Sequence, residues 1–130
     1  MPKLVIIVGI LFGYNLHIIL GCEVLAKIKS ETKKPFIFEL SMTDVFKEQV
    51  EFSEPGQKEI LIKASECAAK RWKLLTVTKD ESGTLTAVDE AYTKLDGIGE
   101  MTIHIGDELQ PRLQQRLGIV CSEATLNLCI

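Results

Sequence analysis

The sequence lacks the short motifs that mark the common catalytic and nucleotide-binding sites. It contains no GxSxG, HExxH, GxGxxG or P-loop pattern. His104 is the one histidine beyond the apolar N-terminal run. A single histidine with no serine or cysteine pattern beside it is more typical of a surface residue than of a general base. We therefore expect a protein that is not an enzyme and has no catalytic residue.

Metal-ligand spacing and a surplus of basic residues are missing as well. The four cysteines form no CxxC pair, so the paired ligands of a zinc site are absent. Acidic pairs at 80–81, 89–90 and 107–108 could bind calcium, but they lack EF-hand spacing, and acids in turns are usually solvated. The formal net charge of −3 argues against a nucleic-acid partner. We predict no metal site, no cofactor and no binding to nucleic acid.

The N-terminus differs in composition from the rest of the chain. Of the first 21 residues, 14 are apolar. The apolar run at 4–20 follows a single basic residue, Lys3, and is followed by Gly21. A basic start, an apolar stretch and a small residue at the boundary are the parts of a secretory signal peptide. We predict a signal peptide at 1–21 and a secreted domain at 22–130, with no stable membrane insertion after cleavage. An uncut anchor is the alternative, because several lysines follow the run.

The cysteines support an oxidising compartment. Cys22, Cys67, Cys121 and Cys129 all lie beyond the predicted cleavage site. An even number of cysteines in a small secreted domain implies two disulfides, with three possible pairings. We favour Cys67 with Cys121 and Cys22 with Cys129, a choice that would tie the two ends of the domain together.

Alternation of apolar and polar residues recurs along the domain, and this period of two indicates half-buried strands. Turn signals such as Pro55-Gly56 and the segment 80–83 separate the alternating runs. The runs cover 22–28, 36–42, 50–52, 60–64, 72–77, 85–87, 101–105 and 118–121. This pattern predicts an all-β fold, an antiparallel β-sandwich of about seven to eight strands, Ig-like or transthyretin-like in general shape.

One segment has a different spacing. Leu109, Leu113 and Leu117 recur every four residues, with Pro111 in the first turn and Gly118 in the place of a C-cap. The spacing predicts one short helix over 108–117.

Four short stretches carry a resemblance to a known group of proteins. They are Cys67 with Trp72, the segment 95–99 (LDGIG), the segment 107–111 (DELQP) and the segment 116–121 (RLGIVC). With the leader and the cysteines, they resemble small secreted β-rich domain proteins of nematodes whose function is uncharacterised. The resemblance implies a secreted β-sandwich and brings no activity or catalytic residue with it.

The functional expectation follows mainly from these exclusions. We expect a secreted extracellular binding or interaction module whose partner is an unknown extracellular protein. Val45 and Phe46 follow Asp44 in a predicted loop and would form a contact patch if both are exposed. One alternative is a carrier of a small hydrophobic ligand, because some strands are apolar on both faces. Another is a secreted inhibitor of a hydrolase. The strands with a second apolar face contain Ile37, Leu61, Leu75 and Val77.

Overall fold

The computed structural model describes residues 21–125, 128 and 129, and these residues form strands and turns without any helix. Residues 1–20 of the predicted signal peptide lie outside the described residues. The seven strands are β1 (Cys22–Ser30), β2 (Phe36–Met42), β3 (Phe46–Phe52), β4 (Gly56–Ala64), β5 (Trp72–Lys79), β6 (Leu85–Ile105) and β7 (Pro111–Ser122). The all-β prediction is confirmed.

The strands form one mixed sheet that curls into a nearly closed barrel. Its order is β3-β2-β5-β6-β1-β4, with β7 also paired to β6. The 21-residue β6 joins the two halves, because its residues 85–93 pair with β5 and its residues 98–105 pair with β1. β1 and β6 run parallel, whereas the other pairs are antiparallel. The sheet is therefore not the purely antiparallel sandwich that the alternation predicts, because alternation reports burial and not strand direction.

The barrel stops short of closure between β3 and β4, which are the two ends of the strand order. The turn at 53–55 connects these strands, but no ladder joins them. Instead, the Lys58 ammonium donates to the Glu51 carbonyl and lies 5.2 Å from the centre of the Phe52 ring. A lysine side chain thus bridges the gap between β3 and β4.

Inward-facing side chains from every strand fill the interior. Trp72, Phe38 and Leu40 are fully buried, and the Phe36 and Phe52 rings stack with centroids 5.2 Å apart. The Trp72 indole N–H has no hydrogen-bond partner among the described residues. Alternation places these residues inside because successive side chains of a strand point to opposite faces. The interior is therefore occupied by the protein's own side chains.

The short helix predicted over 108–117 is absent, and this prediction is wrong. Leu109 occupies a tight turn with a φ of 58°, and its N–H donates to the Gly106 carbonyl at 2.9 Å. β7 begins two residues later, and its register against β6 skips Gln114. This bulge changes which residues face inward, so Leu113 is buried whereas Leu117 is 71% exposed. A bulged strand can therefore produce a four-residue leucine spacing without a helix.

All four cysteines form disulfides, but the favoured pairing is wrong. The bridges are Cys22–Cys67 and Cys121–Cys129, with Cα–Cα distances of 6.1 and 6.5 Å. The register of β1 against β4 places Cys22 opposite Ala64, only three residues before Cys67. The C-terminal segment returns along β7, because Cys129 forms a bridge pair with Leu113. Strand register, which the cysteine spacing does not encode, decides both pairs.

Candidate interaction surface

His104 lies on the outer face of β6 and is held by a neighbouring carboxylate. Its Nδ1 is 3.1 Å from Oε1 of Glu31, and only 14% of the imidazole side chain is exposed. The register places Lys29 and Arg112 on either side of it. No serine or cysteine hydrogen-bonds to His104 within the described residues. The geometry is that of an imidazole hydrogen-bonded to a carboxylate on the outer face of the sheet, and it brings no nucleophile to the ring.

The turn carboxylates do not converge on a common centre. Asp80 Oδ1 accepts the Ser82 hydroxyl at 2.7 Å and the backbone N–H groups of Ser82 and Thr84 at 2.9 Å each. These hydrogen bonds, led by that of the Ser82 hydroxyl, lower the pKa of Asp80. Across 21–125 and 128–129, no group of three histidine, cysteine or acidic side chains is arranged to hold a metal ion. Asp80 therefore organises its own hairpin turn.

Val45 and Phe46, the proposed contact patch, are half-buried rather than exposed. The Val45 N–H donates to the Met42 carbonyl at 2.9 Å, which closes a turn through Asp44 at a φ of 64°. The Phe46 ring meets Trp72 edge-on, with centroids 5.1 Å apart. Both residues pack against the core. The contact patch was predicted only if both residues are exposed, and neither of them is.

Four of the six large exposed apolar side chains of the described residues lie instead on the outer face of the sheet segment β4-β1-β6-β7. Leu61 pairs with Leu25, Leu25 with Glu100, and Glu100 with Leu117, in one row across four strands. Ile98 precedes Glu100 by two residues on the same face of β6, and Val120 lies opposite Asp96 on β7. We call this surface the Ile98 face, and it comprises Leu25, Leu61, Ile98, Leu117 and Val120.

The exposure of these side chains is high for leucine, isoleucine and valine. Ile98 is 64% exposed, Leu117 71% and Val120 63%, while Leu61 is 56% exposed and Leu25 half-buried. Facing residues of adjacent strands have Cβ atoms about 4.5–5.5 Å apart, so the row is continuous apart from Glu100. Scattered apolar residues on a surface are ordinary, whereas a contiguous group on one sheet face indicates a contact site.

Two ion pairs border the Ile98 face. Lys27 Nζ lies 2.9 Å from Glu100 Oε1, which draws the Glu100 carboxylate toward the neighbouring row. On the other side, Lys63 Nζ lies 4.0 Å from Glu23 Oε1. The hydrogen bond that Lys27 donates to Glu100, reinforced by the charge of that carboxylate, raises the pKa of Lys27. Charges of both signs therefore stand among the apolar side chains of this face.

Three glycines shape the backbone beneath the face. Gly97 has a φ of 117° and Gly118 a φ of 79°, and the β6–β7 register shifts between Gly97 and Glu100. A Cβ on Gly99 would lie 1.8 Å from the Leu117 carbonyl oxygen. The segment Gly97-Ile98-Gly99 therefore forms a bulge in β6. Gly118 on β7 faces this bulge and allows the β6 and β7 backbones to come close together. The sequence analysis interpreted Gly118 as a helix cap and so missed this signal.

Open grooves flank Ile98 on two sides. One, of about 610 Å³, is lined by Ile98, Val120 and Ala68 and lies beside Cys67, with Lys94 and Asp96 at its border. The second, of about 440 Å³, lies between Ile98 and Val45. Gly21, where the described chain begins, lines both grooves. Ile98 thus stands as an apolar ridge between two depressions at the end of the barrel.

The residues that suggested a second apolar face have different surroundings. Leu61 belongs to the Ile98 face. Ile37, Leu75 and Val77 lie on the outer face of the other half of the sheet, where Ile37 and Leu75 are half-buried and Val77 is 9% exposed. These residues do not line the interior, so they provide no internal ligand chamber.

None of the described segments is a helix of the length and hydropathy needed to cross a bilayer. Comparison of the chain with protein-family models, with curated proteins and with solved structures finds no match. The resemblance to secreted nematode domains therefore stays a prediction.

Proposed function

We propose that this chain is a secreted extracellular interaction module without catalytic activity, and that its working surface is the Ile98 face. The observation that carries the proposal is the group of Leu61, Ile98, Leu117 and Val120 on the outer face of four paired strands, each more than half exposed. Large exposed apolar side chains grouped on one surface, with charged residues beside them, are typical of protein contact sites.

Two further observations support this proposal. The two disulfides fit an oxidising compartment, because thiols are kept reduced in the cytosol. The filled interior leaves the outer surface as the place where a partner can be bound. An antiparallel ladder and paired glycines hold the face in position, so little ordering is needed on binding.

Site-specific photo-crosslinking tests the proposal. A photoreactive residue is placed at Leu117 in the full chain, expressed through a secretory pathway and collected from the medium. Leu85 is the matched control, because it is also exposed (56%) but lies at the β5–β6 hairpin, away from the Ile98 face. We expect a discrete adduct from position 117 and none from position 85. Equal labelling of both positions, or retention of the protein in the cytosol, would contradict the proposal.

A second candidate is binding of a small hydrophobic ligand in the 610 Å³ groove beside Ile98. Its volume falls within the range of small-molecule sites, about 300–1,000 Å³. Native mass spectrometry of the secreted protein separates this candidate from the first one. A bound mass of a few hundred daltons that Ile98→Glu removes would support the ligand. A native mass equal to the denatured mass, or to a multiple of it, would exclude the ligand candidate and leave the protein-interaction proposal as the one supported.

A further inference from the structure

The two disulfides differ in their exposure to solvent. Cys22 is 4% exposed and Cys67 1%, whereas Cys121 and Cys129 are both half-buried. A thiolate must reach a sulfur atom of the bridge before exchange begins, so burial protects a disulfide from reduction. Reduction of Cys22–Cys67 therefore requires local unfolding, whereas Cys121–Cys129 is open to attack in the folded protein.

The two bridges also differ in what they enclose. The segment closed by Cys22–Cys67 contains the four strands β1, β2, β3 and β4. Between Cys121 and Cys129, only Ser122 belongs to one of the seven strands. Opening the second bridge therefore leaves the strand ladders of the barrel in place.

The described residues that follow β7 form a strap against β6 and β7. We define the strap as Glu123, Ala124, Thr125, Leu128 and Cys129. The Thr125 N–H donates to the Tyr92 carbonyl, and the Leu113 N–H donates to the Leu128 carbonyl, each at 2.8 Å. The Leu128 side chain is 1% exposed. Once the bridge opens, such non-covalent contacts alone oppose the conformational entropy that the strap gains on release.

A buried hydroxyl beside Cys121 favours this sulfur as the leaving group. Thr93 is fully buried, and its Oγ1 lies 3.1 Å from Cys121 Sγ while it donates to the Ser122 carbonyl at 2.8 Å. The hydroxyl can rotate to donate to a Cys121 thiolate, and a stabilised thiolate leaves faster. Within the described residues, no donor hydrogen-bonds to the sulfur of Cys129.

From these observations we infer that Cys121–Cys129 is a redox-sensitive latch that holds the strap against the barrel. The thiolate of a low-molecular-weight thiol attacks Cys129 Sγ, forms a mixed disulfide with it and releases Cys121 as a thiolate. A second thiolate attacks the external sulfur of the mixed disulfide, which frees Cys129 and forms an external disulfide. The bridge gains two electrons and two protons, both supplied by the two external thiols. The strap is then released while the barrel stays folded.

The latch also bears on the groove beside Ile98. Ser122 and Glu123 line this groove, and Glu123 Oε2 lies 3.2 Å from Lys94 Nζ. Release of the strap therefore removes part of one wall. The inference goes beyond the proposed function and does not depend on it, because its test needs no partner.

Reduction under native conditions tests the latch. The secreted, disulfide-intact chain is incubated with millimolar glutathione, and aliquots are alkylated and mapped by mass spectrometry. We expect Cys121–Cys129 to be reduced at least about tenfold faster than Cys22–Cys67. Hydrogen exchange at the Leu113 and Thr125 amides should then become about tenfold faster, because both amides lose their bonds with the strap. Near-ultraviolet circular dichroism should remain unchanged.

Two threonine variants test the role of the hydroxyl. Thr93→Val should slow the reduction of Cys121–Cys129 about tenfold, because the leaving thiolate loses its donor. Thr76→Val is the matched control and should leave the rate unchanged. Thr76 is also fully buried and donates to a backbone carbonyl, that of Leu109 at 2.7 Å, but has no hydrogen bond to a sulfur.

Several outcomes would overturn the latch. A Cys121–Cys129 bridge that resists glutathione does so, as does reduction of both bridges at the same rate. Loss of the near-ultraviolet signal when this bridge opens would make it a support of the whole barrel. Unchanged exchange at the Leu113 and Thr125 amides would show that the strap stays bound without it. Equal rates in the two threonine variants would refute Cys121 as the leaving group.

Discussion

The two disulfides enclose loops of very different length, so their removal is expected to have different consequences. Cys22–Cys67 closes a separation of 45 residues, whereas Cys121–Cys129 closes one of 8 residues. The chain-entropy relation gives about 4 kcal/mol for the long loop and about 2.5 kcal/mol for the short one. Replacing both cysteines of a pair by alanine should therefore cost about 1.5 kcal/mol more at Cys22–Cys67 than at Cys121–Cys129.

Urea unfolding of the mature domain and the two double-alanine variants measures this difference. Peptide mapping under non-reducing conditions first establishes the bridges in the parent chain. The two variants serve as controls for each other, because each one removes two buried or half-buried sulfur atoms and one bridge. An equal loss in both variants, or a larger loss at Cys121–Cys129, would refute the loop-length reasoning. A map that joins Cys67 to Cys121 would refute the register on which it rests.

Three further predictions concern single residues. Gly99→Ala should destabilise the domain by about 3 kcal/mol in urea unfolding, at the upper end of overpacking costs. Gly106→Ala, whose Cβ meets nothing within 4 Å, should change little; similar losses would contradict the crowding argument. Burial raises the pKa of Asp89, so the ionised carboxylate destabilises the fold above that pKa and has no effect below the unfolded value. Asp89→Asn should therefore raise the melting temperature at pH 7 and leave it unchanged near pH 3, and a gain at both pH values would refute this origin. Phe46→Ala should cost about 1–2 kcal/mol through loss of the contact with Trp72 while leaving association through the Ile98 face intact; weakened association would restore Phe46 as a contact residue.

The proposed function depends on the separation of interior and exterior apolar residues by the sheet. Leu113 and Leu117 differ by four positions, yet one is fully buried and the other is the most exposed leucine of the Ile98 face. Hydrophobicity alone does not distinguish them. The bulge at Gln114, which lies between the two leucines, decides which one faces the core and which one faces outward.

Sequence alone determined the strand-rich character of the chain and most of the strand positions. β1, β2 and β5 follow directly from alternation, because a half-buried strand must place every second side chain in the core. The even cysteine number likewise predicted two disulfides. These features are local, or depend on counting, so they need no knowledge of which strands are neighbours.

Tertiary structure alone decided the strand order, the disulfide pairing and the Ile98 face. The parallel β1–β6 pair joins residues more than seventy positions apart, and no local pattern specifies that pairing. Cys22 meets Cys67 because β1 pairs with β4, and Leu61 joins Leu117 on one surface because four strands lie side by side. Each of these features depends on register between distant strands, which is set by how all the apolar faces pack into one core.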